Sequence, residues 1–166
     1  MRVVIGGAQR SGTSLMRSII GSHSEVAMFP YDLRLWTHFG PQHKGESLSL
    51  REAESLLERI VSDKKAVIAD DVPEPSEVRA LLEKSAKVVF SASQVFDCFL
   101  EAYAIRRRKL WWGLKTPWNE FHASEIMDGL SDVVFLHLIR NPLRSAASAK
   151  HAEGGSWFYD PFIHIG

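Results

Sequence analysis

The first 22 residues constrain the fold more than any other part of the chain. Arg2 to Ile5 is a short β-branched run, the pattern of a buried parallel strand. The glycine-rich segment GGAQRSG follows at Gly6 to Gly12, and Thr13 to Ser22 then has the pattern of an amphipathic helix. The predicted apolar face of this helix comprises Leu15, Met16, Ile19 and Ile20. A strand that turns directly into a helix predicts an α/β domain.

The alternation of strands and helices continues along the chain. Further strands are predicted at 25–29, 110–117 and 132–139, and further helices at 50–61, 77–86, 91–108 and 143–152. Ser49 and Glu52 have the spacing of a capping box at the start of the second helix. The predicted fold class is therefore α/β, with a mostly parallel sheet flanked by helices. A length of 166 residues suits one domain over 1–166.

Composition excludes several classes of partner. The chain has 20 Lys and Arg residues against 20 Asp and Glu residues, so its formal net charge is zero. Neither a nucleic acid nor a membrane is predicted as a partner, and any anion site has to be local. No apolar run reaches the roughly 18 residues that span a bilayer. The single cysteine, Cys98, has no internal disulfide partner and is predicted to be a small core residue, which favours a cytoplasmic location.

The glycine-rich turn has the composition of an anion-binding loop. Backbone N–H groups of Ser11 to Ser14, at the start of a helix, form a concavity for a phosphate, and Arg10 adds a cation. Thr13 stands where loops that bind nucleoside triphosphates carry a lysine. The loop therefore favours a single phosphate with a smaller charged group attached. The structural alternative is a tight turn in which Thr13 and Ser14 only cap the helix.

A second basic segment follows the predicted strand at 132–139. Arg140, Arg144 and Ser148 are spaced by four residues, which predicts one face of a helix and a second phosphate site. The alternative is a solvated basic helix face. The strand ends in Leu-Ile-Arg rather than in an acid that could organise Mg²⁺. The seven histidines show no metal-ligand spacing, so no metal site is predicted.

Three predicted strands end in segments that carry polar or charged side chains. These are Arg10 to Ser14, Lys115 to Pro117 and Arg140 to Pro142. The carboxyl ends of parallel strands meet at one edge of a sheet, where ligands bind. One cleft could therefore collect all three segments.

These motifs resemble those of sulfotransferases that use 3′-phosphoadenosine-5′-phosphosulfate (PAPS). RSGTSLMRS resembles their 5′-phosphosulfate loop, and LIRNPLRSAASAKH resembles their 3′-phosphate motif, with Arg140 and Ser148 at the matching positions. GLKTP resembles the strand end that carries a catalytic lysine, here Lys115. The similarity is greatest to the bacterial and tyrosylprotein-sulfotransferase-like branches. It implies a P-loop-type α/β fold.

The resemblance also implies an activity and a set of site residues. The expected reaction transfers the sulfuryl group of PAPS in line, without a metal, to a hydroxyl or amine of a small-molecule, saccharide or peptide acceptor, and releases adenosine 3′,5′-bisphosphate. The expected catalytic residues are Lys115 and Arg10, which stabilise the leaving phosphate, and Asp32 as general base, with Glu120 as a second candidate base. The expected donor-binding residues are Arg10, Ser11, Gly12, Thr13, Ser14, Arg140 and Ser148.

The chain departs from the family pattern at three places. Tyr31, with Asp32 beside it, stands where tyrosylprotein-like members carry a glutamate, and Pro117 stands where the cytosolic branch carries a base histidine. Family members usually continue past the position of Gly166, so the domain is expected to be C-terminally incomplete. Two other functions stay open on the sequence: a P-loop nucleotide kinase or NTPase, and a non-catalytic nucleotide-binding module.

Overall fold

The computed structural model describes residues 1–150, and for Lys150 the backbone alone. In chain order the elements are β1 (Arg2–Gly6), α1 (Thr13–Gly21), β2 (Val26–Met28), a π-helix (Leu35–Phe39), a 3-10 helix (Gly40–His43), β3 (Leu48–Ser49), α2 (Leu50–Val61), α3 (Lys64–Val67), α4 (Pro75–Lys84), β4 (Val89–Phe90), α5 (Ala92–Arg106), β5 (Trp111–Lys115), a second 3-10 helix (Asn119–His122), α6 (Ala123–Gly129), β6 (Val133–His137) and α7 (Pro142–Lys150). The predicted end of the last helix, Ala152, lies outside the described residues.

The central sheet has four parallel strands in the order β2-β5-β1-β6. Strands β3 and β4 form a separate antiparallel pair. Because β1 lies between β5 and β6, Ile5 pairs with Lys115 on one side and with Leu136 on the other. Helices α1, α5 and α6 pack against this sheet. The predicted fold class, a mostly parallel α/β sheet flanked by helices, is confirmed.

Local sequence signals located several elements closely. Helix α2 begins and ends where the sequence predicts, and its capping box is formed: Glu52 N donates to Ser49 Oγ over 3.4 Å, and Ser49 N donates to Glu52 Oε2 over 2.8 Å. Helix α5 begins after Ser91, which forms a similar box with Gln94. The short helices α3 and α6 were not predicted. Within residues 1–150, no helix combines the length and apolarity that a membrane span needs.

The predicted apolar face of α1 is partly wrong. Leu15 is 67% exposed and Ile19 is 55% exposed. The less exposed stripe runs instead through Thr13, Met16, Arg17 and Ile20 at spacings of three and four. Helix α1 is therefore rotated about its axis, so that its most apolar face does not point at the sheet. Its sheet-facing side carries a threonine and an arginine.

The core lies where the long helices meet the sheet. Its largest fully buried side chains include Phe29, Trp36, Phe96 and Tyr103. Trp36 packs edge-on against Phe96, with ring centroids 5.3 Å apart, and its indole N–H donates to Ser93 Oγ over 3.0 Å. This bond satisfies the one polar atom of a buried indole, so the aromatic cluster can be packed without an unpaired donor.

Two arginines at the end of α5, Arg106 and Arg107, make contacts that hold neighbouring segments together. Arg106 donates to the carbonyl of Val72 and to Glu77, and Arg107 donates to Asp71. These contacts tie the segment before α4 to the end of α5. Both arginines remain exposed at the helix end while they make these contacts.

Replacing Ser49 by alanine is expected to lower the free energy of unfolding by about 1 kcal/mol, because the amides at the start of α2 lose their cap. Urea denaturation measures the change. Ser55→Ala is the matched control, since Ser55 lies exposed within the same helix and alanine has the higher helix propensity. Equal destabilisation by both changes would contradict a specific role for the cap.

Candidate active site

The loop after β1 follows a path that requires glycine. Gly7 has φ 145°, and a Cβ atom there would lie 2.6 Å from the carbonyl oxygen of Leu138 and 3.0 Å from Ser11 Oγ. The loop then turns back on itself, with Ser11 N donating to the carbonyl of Ala8 over 3.1 Å. Gly12, with φ 103°, is the N-cap of α1. The chain thus passes from strand to helix through two left-handed glycines.

The start of α1 presents its amides without a side-chain cap. Gly12 cannot supply one, and within the described residues no side chain caps this helix. The first intrahelical bond runs from Met16 N to the carbonyl of Gly12 over 3.0 Å, so the amides of Thr13, Ser14 and Leu15 have no partner within the helix. The interpretation of Thr13 and Ser14 as simple capping residues is therefore wrong. Free amides at a helix N-terminus favour an anion.

A cleft of about 210 Å³ opens at this end of α1. Its lining residues are Arg10, Gly12, Thr13, Ser14, Arg140 and Ser148. These are six of the seven residues that the sequence predicts for donor binding. The seventh, Ser11, has its hydroxyl oxygen buried without a hydrogen-bond partner among the described residues.

Two hydrogen bonds join the walls of this cleft across about 130 residues of sequence. Arg10 Nε donates to Ser148 Oγ over 3.1 Å, and Arg140 Nη1 donates to the carbonyl of Arg10 over 2.9 Å. Arg10 has a left-handed φ of 66°. The two segments predicted as separate phosphate sites therefore form opposite walls of one cleft. Among the described residues, neither Arg10 nor Arg140 forms an ion pair with a carboxylate.

Helix α7 begins two residues after Arg140. Asn141 Oδ1 accepts hydrogen bonds from the amides of Leu143 and Arg144, so Asn141 caps the helix and Pro142 takes its first position. Arg140 thus precedes the helix and is not in phase with its turns. Arg144 is exposed and does not line the cleft, so the predicted shared face of Arg140, Arg144 and Ser148 is not formed.

A buried lysine and an aspartate meet at the end of β5. Lys115 is 3% exposed, and its Nζ lies 2.5 Å from Asp32 Oδ1. Arg17 Nη1 lies 3.6 Å from the same oxygen. The segment that carries Asp32 is held by Thr116 Oγ1, which donates to the carbonyl of Leu33 over 2.8 Å.

The ion pair neutralises a charge that would be costly to bury alone. The sequence-predicted residues Lys115 and Asp32 are thereby brought together at the carboxyl edge of the sheet, although neither lines the 210 Å³ cleft. Arg17 was missed by the sequence analysis. No sequence signal could have found it, because the rotation that turns Arg17 toward the sheet is set by packing rather than by the spacing of the apolar residues of α1.

Glu120, the second candidate base, lies against the loop instead. Its Oε2 accepts a hydrogen bond from Gly7 N over 2.6 Å. That contact places the carboxylate at the entry of the glycine-rich loop, Gly6 to Gly12, which we call the anion loop.

Within residues 1–150, no other feature competes as a reactive centre. Cys98 is half-buried, and burial raises the pKa of its thiol to about 12, so it stays protonated at neutral pH. A larger cleft of about 450 Å³ lies beside α4 and α5, but its charged residues are of both signs. In the part of the chain that the structure describes, His, Cys, Asp and Glu side chains form no cluster of three or more that could hold a metal.

The fold and the cleft define an α/β protein with arginines on both walls of a cleft between a glycine-rich loop and the start of α7. The family follows from the sequence as a whole. A family model described as the sulfotransferase family matches residues 2–164, and the chain belongs to that family. Searches of curated proteins and of solved structures gave no significant match.

The contact between Lys115 and Asp32 is expected to couple the two residues by about 1 kcal/mol, a value reduced by the partial exposure of Asp32. A double-mutant cycle of Lys115→Met and Asp32→Asn, followed by urea unfolding, measures this coupling. The exposed pair Arg79–Glu83 is the control, with an expected coupling below about 0.5 kcal/mol. A coupling no larger than that of the control would show that the buried pair is not a stabilising contact.

Proposed function

We propose that this member of the sulfotransferase family moves the sulfuryl group of PAPS to a hydroxyl or amine acceptor. The observation that carries the proposal is the single cleft in which loop residues and the start of α7 face each other. A ligand with anionic groups at both ends fits such a cleft better than a ligand with one extended triphosphate does.

The hydrogen-bond donors on the two walls of the cleft suit the two anionic ends of PAPS. On the loop side, the amides that follow Gly12 would hold the 5′-phosphosulfate. On the helix side, Arg140 and Ser148 would hold the 3′-phosphate. Space at Gly12 is open, since among the described residues a Cβ atom built there has only Leu138 Cδ2 as a neighbour, at 4.0 Å.

The bound donor supplies an activated sulfuryl group, and negative charge develops on the 5′-phosphate as that group is transferred. Arg10 and Lys115 are the cations that we assign to this charge. Asp32 orients the Lys115 ammonium, and Arg17 shares the carboxylate. With its side chain 36% exposed, Asp32 is also accessible to an acceptor and is our candidate general base.

The residues at these two segments argue against a nucleotide kinase. Thr13 replaces the lysine that reaches the terminal phosphates of a triphosphate, and β6 leads into Leu138, Ile139 and Arg140 without a carboxylate for Mg²⁺. The cations that the chain itself supplies are arginines and a lysine. We therefore propose a reaction that needs no metal. A small molecule, a saccharide or a peptide is the proposed class of acceptor.

Arg140→Ala is expected to weaken binding of adenosine 3′,5′-bisphosphate by about 10- to 100-fold, because the 3′-phosphate loses a charge-assisted partner. Isothermal titration calorimetry measures the affinity. Arg144→Ala is the matched control and should change the affinity by less than about threefold, since Arg144 is solvated and outside the cleft.

The same titrations separate this function from that of a kinase. Binding of the bisphosphate should persist when EDTA is added, and ATP should bind more weakly. Preference for ATP, dependence on Mg²⁺ or equal affinity of the wild type and Arg140→Ala would overturn the proposal.

Lys115→Met is expected to reduce sulfuryl transfer by about 100-fold or more, while the affinity for adenosine 3′,5′-bisphosphate changes little. Product release from PAPS, measured with phenol, alcohol and amine acceptors, gives the rate. Lys109→Met is the control, because the Lys109 ammonium contacts only the carbonyl of Ser24 among the described residues. Tight binding by the wild type without turnover of any acceptor would favour a non-catalytic module.

A further inference from the structure

The segment that follows β5 is fastened to the end of β1. Thr116 N donates to the carbonyl of Ile5 over 3.3 Å, and Asn119 Nδ2 donates to the same carbonyl over 3.4 Å. Asn119 is fully buried. Between them, Trp118 has a left-handed φ of 69°, a conformation that a bulky residue rarely adopts. Such a conformation persists where its surroundings over-determine it, as these anchors do.

Glu120 extends this attachment from the strand to the anion loop. Its Oε2 accepts the Gly7 N–H over 2.6 Å, a short charge-assisted bond in a partly buried position. The two residues are 113 positions apart, so the bond is a tertiary contact and not a local turn. It is the contact by which the β5 segment reaches the loop itself.

The glycines before the loop leave room for this carboxylate. A Cβ atom at Gly6 would lie 2.8 Å from Glu120 N and 3.0 Å from Glu120 Oε2. On the other side, a Cβ atom at Gly7 would lie 2.6 Å from the carbonyl oxygen of Leu138. The backbone at Gly7 is therefore enclosed between the β5 segment and the end of β6, and its N–H group is committed to Glu120.

We infer that Glu120 is a positioning residue of the anion loop. Its carboxylate fixes Gly7, which sets the direction in which the loop leaves β1 and keeps the amides of Thr13 and Ser14 directed at the cleft. This inference rests on the proposed function for the identity of the ligand, adenosine 3′,5′-bisphosphate. The role assigned to Glu120 is to hold the loop, through the bond that its Oε2 accepts from Gly7 N.

The test compares Glu120→Ala with Glu120→Gln in the full chain, using adenosine 3′,5′-bisphosphate as the calorimetric probe. Alanine removes the acceptor, and the dissociation constant is expected to rise about tenfold. Glutamine keeps a carbonyl oxygen at the same distance along the side chain, and its affinity should stay within about threefold of the wild type. Glu125→Ala is the control, since Glu125 contacts His122 in the same stretch of chain and does not touch the loop.

An NMR measurement on the ligand-free proteins tests the hydrogen bond from Gly7 N to Glu120 Oε2 independently of any ligand. The Gly7 amide proton should resonate downfield in the wild type, move upfield in Glu120→Ala and exchange faster with solvent. Wild-type affinity in Glu120→Ala, or loss of affinity in Glu120→Gln equal to that in Glu120→Ala, would overturn the inference. An unchanged Gly7 resonance would also overturn it. If the wild type did not bind the bisphosphate while the Gly7 resonance responded as expected, the proposed function would fail. The role of Glu120 in holding Gly7 would still be supported.

Discussion

The backbone at Gly6 and Gly7 has no room for a side chain, and the geometry of the site depends on this constraint. One side is closed by Glu120, and the other by the end of β6, where Leu138 N donates to the carbonyl of Gly6 over 3.0 Å. Parallel pairing of β1 with both β5 and β6 brings these contacts to the same edge. Further along the loop, Arg10 Nε donates to Ser148 Oγ. The close approach at these two glycines lies at the entry of the loop that lines the 210 Å³ cleft.

The distribution of charge supports the same arrangement. Elsewhere in the described chain, several arginines are paired with carboxylates: Arg2 with Asp97, Arg79 with Glu54 and Glu83, Arg106 with Glu77, and Arg107 with Asp71. The cleft has Arg10 and Arg140 without an acid among its lining residues. A chain of zero net charge can therefore present a local positive site. Lys115 differs, since burial makes its neutralisation by Asp32 necessary in the absence of an anionic ligand.

The sequence predicted those features that rest on short-range rules. The capping box at Ser49, the strand Arg2–Gly6 and the glycine-rich turn into α1 all depend on residue type and spacing. Features set by packing were not predictable in this way. The rotation of α1, which exposes Leu15, follows from how the helix meets the sheet. The bond between Glu120 and the loop depends on a close approach that no local pattern records.

The central claim is that the glycine-rich loop and the start of α7 hold one ligand together. Titration of ¹⁵N-labelled protein with adenosine 3′,5′-bisphosphate, followed by amide chemical shifts, tests it most directly. The account predicts shifts at Ser11 to Ser14 and at Arg140 to Ser148 that saturate with one dissociation constant. Shifts in only one of the two segments, or two segments with different dissociation constants, would contradict a shared site.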